Sequence, residues 1–188
     1  MPTRSRHPLL LRRDQAALLV VDVQERLYPV MWEKERVEAA VRKLIQGFRL
    51  LERPIFATEQ YPKGLGPTLP SLRELMGGIQ PYEKLHFSCC GVEPLLQELK
   101  QRELFQIVLC GIEAHVCVLQ TALDMLHLGY QVHVPADAVS SRRELDWQMA
   151  LERMRRSGVV VTTTESVLFE LLELAGTPEF KQIAQLVK

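Results

Sequence analysis

No apolar run in this 188-residue sequence approaches the roughly 20 residues that a membrane-spanning helix needs. An excess of either charge is missing too: Lys plus Arg and Asp plus Glu both count 23, so no overall field draws the chain to nucleic acid or to an anionic membrane. Cysteine is sparse, with four residues at Cys89, Cys90, Cys110 and Cys117. A chain of this length that is 47% hydrophobic needs no disulfide framework, and adjacent Cys89 and Cys90 lie closer than ordinary disulfide geometry wants, so reduced thiols are expected. The histidines form no pair at helical ligand spacing and no Cys-x-x-Cys accompanies them, which argues against a structural zinc site. Gly-x-Gly-x-x-Gly is absent after the first predicted strand, where Asp22-Val-Gln-Glu-Arg26 stands instead, so a nucleotide-binding reading is set aside. There is no internal repeat and no low-complexity tract.

What remains is the composition of one soluble domain, expected over residues 14–188 and in the cytoplasm. The start, Met1-Pro-Thr-Arg-Ser-Arg-His-Pro-Leu-Leu-Leu-Arg-Arg13, has too short an apolar centre for a secretory signal and is expected to form a flexible basic arm. Ala17 to Val21 is a continuous apolar run ending at Asp22, the pattern of a parallel strand buried on both faces. Apolar residues at Val37, Ala40, Val41, Leu44, Ile45, Phe48 and Leu51 recur at helical spacing until Pro54 stops them. A second strand is predicted at Pro54–Thr58, followed by the loop Glu59–Thr68, rich in turn-forming residues, which is expected to be functional or mobile. A weaker strand is predicted at Tyr82–His86, a helix through Val92, Leu95, Leu96 and Leu99, a strand at Ile107–Leu109 and a mostly buried helix beyond Gly111. Strands at Gln131–Val134 and Val159–Thr162 follow. The helix between them should start with a Ser141/Glu144 capping box, and two helices close the chain.

Strand and helix alternate throughout, which predicts an α/β domain of three αβα layers: a Rossmann-like, doubly wound parallel sheet of six strands with helices on both faces. The usual winding puts strands one and four side by side, with ligands bound at their carboxyl ends. Asp22 tips the first strand, and Cys117 lies in the turn leaving the fourth. At the first turn of a helix, unpaired N–H groups and the helix dipole favour a thiolate, which makes Cys117 a candidate nucleophile rather than one more small buried hydrophobe.

Three separated blocks, Val20-Val-Asp-Val-Gln24, Glu83-Lys84 with Phe87-Ser88, and Cys110-Gly-Ile-Glu-Ala-His-Val-Cys117, resemble the isochorismatase-like cysteine hydrolase family across most of the chain. Glu59-Gln-Tyr-Pro-Lys-Gly-Leu-Gly66 is similar to the isochorismatase-domain-containing branch, whose substrates are poorly defined. The resemblance implies a catalytic triad of Asp22, Lys84 and Cys117, a six-stranded three-layer fold, a homo-oligomer, and a non-proline cis peptide at Ile112–Glu113. Lys84 rests on this resemblance, because the third strand lies at an edge of the predicted sheet and its side chain must reach across the second.

Isochorismatases proper act on a vinyl ether without a cysteine nucleophile, so Cys117 directs attention to amide, imide or ureide chemistry on a small molecule. Backbone N–H groups of Ala114 and Cys117 are the expected oxyanion donors. Gln24, Tyr61, Phe87, Glu113 and His115 are candidate substrate contacts, with His115 at the entrance or capping the turn, since residues two apart on a helix do not face each other. Related nicotinamidases bind a metal through an Asp/His cluster after the second strand. This chain carries Glu59-Gln-Tyr-Pro-Lys-Gly64 there, so no metal and no cofactor is expected. The competing reading is a catalytically idle member of the fold that serves as a binding or scaffolding partner.

Overall fold

The computed structural model describes residues 6–188. Strand β1 (Ala16–Val21) is buried along its whole length. Its odd members Ala17, Leu19 and Val21 enter one apolar cluster and its even members Ala16, Leu18 and Val20 another. That split follows from side chains alternating across the strand, and it explains why the run is continuously apolar: both faces are covered. Helix α1 (Lys34–Leu50) covers the second face, burying Val37, Val41, Leu44, Ile45 and Phe48. β2 (Ile55–Gln60) follows, then two short helices within the expected loop region and just beyond it, α2 (Pro62–Leu65) and α3 (Pro70–Met76).

β3 (Tyr82–Lys84) and α4 (Glu93–Gln101) lead to the fully buried β4 (Gln106–Ile112). After one π-helical turn, Ala114–Val118, come α5 (Leu119–His127), β5 (Gln131–Pro135), the two-residue β6 (Val139–Ser140) and α6 (Glu144–Arg156). β7 (Val160–Thr162), α7 (Thr164–Leu172) and α8 (Pro178–Val187) complete the chain.

The sheet runs β3-β2-β1-β4-β5-β7, with every ladder parallel. These are the six expected strands in the doubly wound order, β1 against β4. β6 makes a seventh: β5 pairs with β4 only over Gln106–Val108, and β6 takes over opposite Gly111 and Ile112. Among the described residues no helix is long and apolar enough to cross a membrane.

Of the arm expected over residues 1–13, residues 1–5 lie outside the described residues, residues 7–10 are exposed, and Leu11 ties the segment to the domain. Leu11 is fully buried, its amide donates to Glu170 Oε2 at 2.9 Å, and the Arg12 amide donates to Gln106 Oε1 at 2.6 Å. Leu11 is the apolar residue that anchors an otherwise basic segment. The Ser141/Glu144 capping box does not form. Arg143 occupies the N-cap of α6 without a side-chain cap, and Ser141 is buried with its hydroxyl turned to His115.

β5 carries one polar residue inside. Val132 and Val134 face the cluster under α4–α6, so His133 points to the opposite face, where it is fully buried with no protein partner for either ring nitrogen. Burial pushes its pKa down from 6.5 to about 4. A depressed folded pKa gives stability that is complete above the unfolded value and drains away as pH falls toward the folded one. Unfolding free energy should therefore drop by up to about 3 kcal/mol between pH 6.5 and 4 through this residue. Denaturant melts of wild type and His133→Leu at both pH values check it: the variant should lose most of that dependence, and an unchanged difference would remove His133 as its source.

Candidate active site

The carboxyl ends of β1, β2, β3 and β4 meet at one point, and four polar side chains are buried there. Asp22, the residue after β1, takes a left-handed conformation (φ 50°), which turns its carboxylate off the strand direction. Asp is among the few side chains that tolerate that region, at a cost on the order of 1–3 kcal/mol. The turn is held by its own hydrogen bonds: the Asp22 amide donates to the Thr58 carbonyl at 3.1 Å and the Gln24 amide to the Asp22 carbonyl at 2.8 Å. Beside it, Gly111 on β4 has φ 114°, and a Cβ there would run into the Val21 carbonyl. Only glycine lets the two central strands come this close.

Lys84 solves the edge-strand problem by reach. β3 and β1 flank β2, about 10 Å apart, and the lysine stem crosses that gap to put Nζ 2.6 Å from Asp22 Oδ2. Both side chains are essentially inaccessible to solvent. The ammonium also donates to Gln60 Oε1 at 2.8 Å and to the carbonyls of Phe87 (3.0 Å) and His86 (3.3 Å). The other carboxylate oxygen of Asp22 accepts from Thr58 Oγ1 at 2.8 Å. Burial raises the pKa of Asp22, against the opposing pull of Lys84 and Thr58, which makes it a stronger proton acceptor than an ordinary carboxylate. Burial is the largest single influence on Lys84 and works against its charge, but Asp22, Cys89 and Cys117 together outweigh it and Lys84 is raised, so the ammonium persists.

Cys117 sits in the π-helical turn Ala114–Val118 and is 5% exposed. The Ile112–Glu113 peptide ahead of that turn is cis. The Glu113 carbonyl accepts the amides of Val116 and Val118 on either side of the cysteine, and the main-chain amides of Ala114 and Cys117 both belong to this turn. The expected stabilisation of the thiolate by the helix end is outweighed: burial and the negative charge of Asp22 push the thiol up, while Lys84 alone among the named influences lowers it. Asp22 and Cys117 face each other from the tips of β1 and β4, close enough for each to influence the other's titration. The resting arrangement is thus a thiol beside a carboxylate–ammonium pair.

The remaining candidates divide. Gln24 is fully buried with its amide spoken for by protein: Nε2 donates to the carbonyls of Gln60 (3.0 Å) and Gly66 (2.7 Å), and Oε1 accepts from the Gln60 amide (2.8 Å). It pins the loop after β2 and has little left to offer a substrate. Tyr61 is 52% exposed, its ring lying over Gly64 and its amide bonded to the Lys84 carbonyl. Phe87 is 53% exposed and contributes its carbonyl to Lys84. Glu113 is mostly buried with Oε2 3.3 Å from Arg142 Nε, and His115 Nδ1 lies 2.9 Å from Ser141 Oγ, which clamps the cysteine turn to the segment after β6.

Thr58, Gln60 and Cys89 escaped sequence reasoning. The Cys89 sulfur is 3.6 Å from Thr58 Oγ1, and its pKa is pushed up to about 12, chiefly by burial. The available signal was position: Thr58 and Gln60 end β2 level with Asp22. Among the described residues no group of three or more His, Cys, Asp or Glu side chains could hold a metal ion.

A family model described as the isochorismatase domain matches residues 16–166. Isochorismatase domain-containing protein 2A of Mus musculus is 43% identical over 176 residues, 93% of this chain and 84% of that protein. Among solved structures, a Caenorhabditis elegans protein described as MAR1 ribonuclease superimposes with a TM-score of 0.90 at 38% identity, covering 95% of this chain and 92% of that one. The ycaC gene product of Escherichia coli, described as an octameric hydrolase of unknown specificity, shares the fold with a TM-score of 0.84 at 24% identity, over 90% of this chain and 85% of that one.

Proposed function

The chain belongs to the isochorismatase family, and from that premise we propose that it is a metal-independent cysteine hydrolase that cleaves a C–N bond of a small amide, imide or ureide. The observation that carries the reading is the buried Lys84–Asp22 pair at 2.6 Å beside the Cys117 turn. As the Cys117 sulfur bonds to the substrate carbonyl carbon, its proton passes to Asp22, and the amides of Ala114 and Cys117 hold the oxyanion that forms. The oxyanion collapses, the C–N bond breaks, and Asp22 returns the proton to the leaving nitrogen. Water then attacks the thioester, giving a proton to Asp22 that ends on the sulfur. Lys84 stays an ammonium throughout and keeps carboxylate and sulfur charges tolerable in a dry site.

The E. coli fold neighbour is described as an octamer, and a homo-oligomer is part of the proposal for this chain. A panel of small amides, imides and ureides assayed by ammonia or amine release tests the activity. Turnover should survive exhaustive chelation; stoichiometric bound zinc with chelator-sensitive turnover would overturn the metal-independent mechanism. The C. elegans relative's description supplies a second reading, RNA cleavage. An RNA substrate in the same panel separates the two: RNA cleavage that persists in Cys117→Ala would favour a site other than this one. A chain inert toward the whole panel would favour the binding-partner reading.

A further inference from the structure

The Lys84 ammonium has three N–H bonds and four oxygens around it: Asp22 Oδ2, Gln60 Oε1 and the carbonyls of Phe87 and His86, at 2.6 to 3.3 Å. With its donors occupied it has none to give a substrate, so it acts by charge and its placement is everything. Two of the holders are carbonyls of its own loop and move with it. Gln60 is the one neutral side chain among the four, and it is braced at both ends. Its Nε2 donates to the Leu85 carbonyl at 2.9 Å, which ties it to the residue just after β3. Its own amide donates to Gln24 Oε1 at 2.8 Å and its carbonyl accepts from Gln24 Nε2 at 3.0 Å, which ties it to the segment after β1.

Resting on the hydrolase reading above, we propose that Gln60 is a positioning residue: its side-chain carbonyl holds the Lys84 ammonium against Asp22 and so sets the charge felt at Cys117. A glutamine suits this place because a neutral acceptor satisfies a buried ammonium N–H without competing for its charge. A carboxylate at the same point would draw the ammonium away from Asp22 and add a negative charge beside the thiol. A side chain with no acceptor would leave a buried N–H bare and the ammonium free to shift.

The test reads Cys117 directly, by mass-spectrometric rates of carbamidomethylation against pH, so it returns an answer whether or not a substrate is known. Gln60→Met should slow Cys117 labelling at pH 7 by about tenfold, the equivalent of one pKa unit. In a Lys84→Met background the same change should have almost no further effect, because Gln60 acts through the ammonium. Gln60→Glu, close in shape, should move the midpoint of the pH–rate curve upward by about one unit. A purely structural Gln60 predicts equal slowing in both backgrounds and an unmoved midpoint in Gln60→Glu, and either result would overturn the proposal. Amide hydrolysis by a protein whose labelling behaves that way would leave the hydrolase reading standing and remove Gln60 alone.

Discussion

Lys84→Met should lower turnover on a confirmed substrate by about two orders of magnitude or more while leaving a folded protein, the combination that separates an electrostatic role from a structural one. Removing one partner of a buried ion pair ordinarily costs about 3–5 kcal/mol, because the other charge is left uncompensated. Asp22 has a way out. Its carboxyl is already raised by burial, and without Lys84 it rises further and takes a proton. A group whose folded pKa is raised contributes stability that is present at low pH and lost as pH climbs through the folded value. The variant should therefore melt close to wild type near pH 5 and fall behind it by pH 8. The same protonation removes the base that Cys117 needs, so the activity loss should be larger at lower pH, where the fold is safest. Melting curves and kcat/KM at two pH values check both halves. Wild-type turnover in a folded Lys84→Met protein would exclude Lys84 from the chemistry.

That residue also marks how far the sequence could be read. The central pair was legible because β1 and β4 are continuous apolar runs, and a doubly buried strand has no other sequence form; Asp22 and the Cys117 turn then had to meet at their tips, as the Val21–Gly111 register places them. Lys84 was not legible from pattern. β3 is three residues long at a sheet edge, and nothing in Tyr-Glu-Lys says that the lysine crosses a neighbouring strand. Thr58 and Gln60 lie where an apolar strand becomes polar, which in sequence looks the same as the start of a solvent loop. The helix α3 was hidden between Pro70 and Gly77-Gly78 with only Leu72 and Met76 buried, too few for a period. Ser141 shows the reverse failure: capping-box spacing is a local signal, and a tertiary partner, His115, outcompeted it for the hydroxyl.

The loop after β2, expected to be functional or mobile, is bound to the segment after β1 at many points. Glu25 and Arg26 donate their amides to the carbonyls of Pro67 and Leu65, Arg26 Nη1 reaches the Gly64 carbonyl, and Glu59 Oε1 accepts from both the amide and hydroxyl of Thr68. These bonds hold the loop in place, and on the proposal above Lys84 is braced against it through Gln60. Holding a charge to within a fraction of an ångström in a low-dielectric site requires such support, since the lysine stem by itself has many rotamers.

Cys117→Ala should abolish turnover, and the four thiols of the wild-type protein should label in an order that reveals how Cys117 is activated. All four are pushed up by burial, Cys90 the least, to about 11, and Cys90 is also partly exposed while Cys89 and Cys110 are sealed. If thiolate fraction and access alone governed alkylation, Cys90 would react first. Proton transfer from Cys117 to Asp22 during attack changes that order: the thiol need not ionise beforehand, and the raised carboxylate beside it is the base. Brief iodoacetamide treatment at pH 7 should therefore place Cys117 ahead of Cys90, with Cys89 and Cys110 unmodified. In Asp22→Asn the base is gone, and Cys117 should fall behind Cys90 while the Cys90 rate stays unchanged. That crossover is the decisive reading, because a distorted fold would speed the buried thiols instead of slowing one. Labelling led by Cys90 in both proteins, together with full activity of Cys117→Ala, would leave no basis for a cysteine mechanism here.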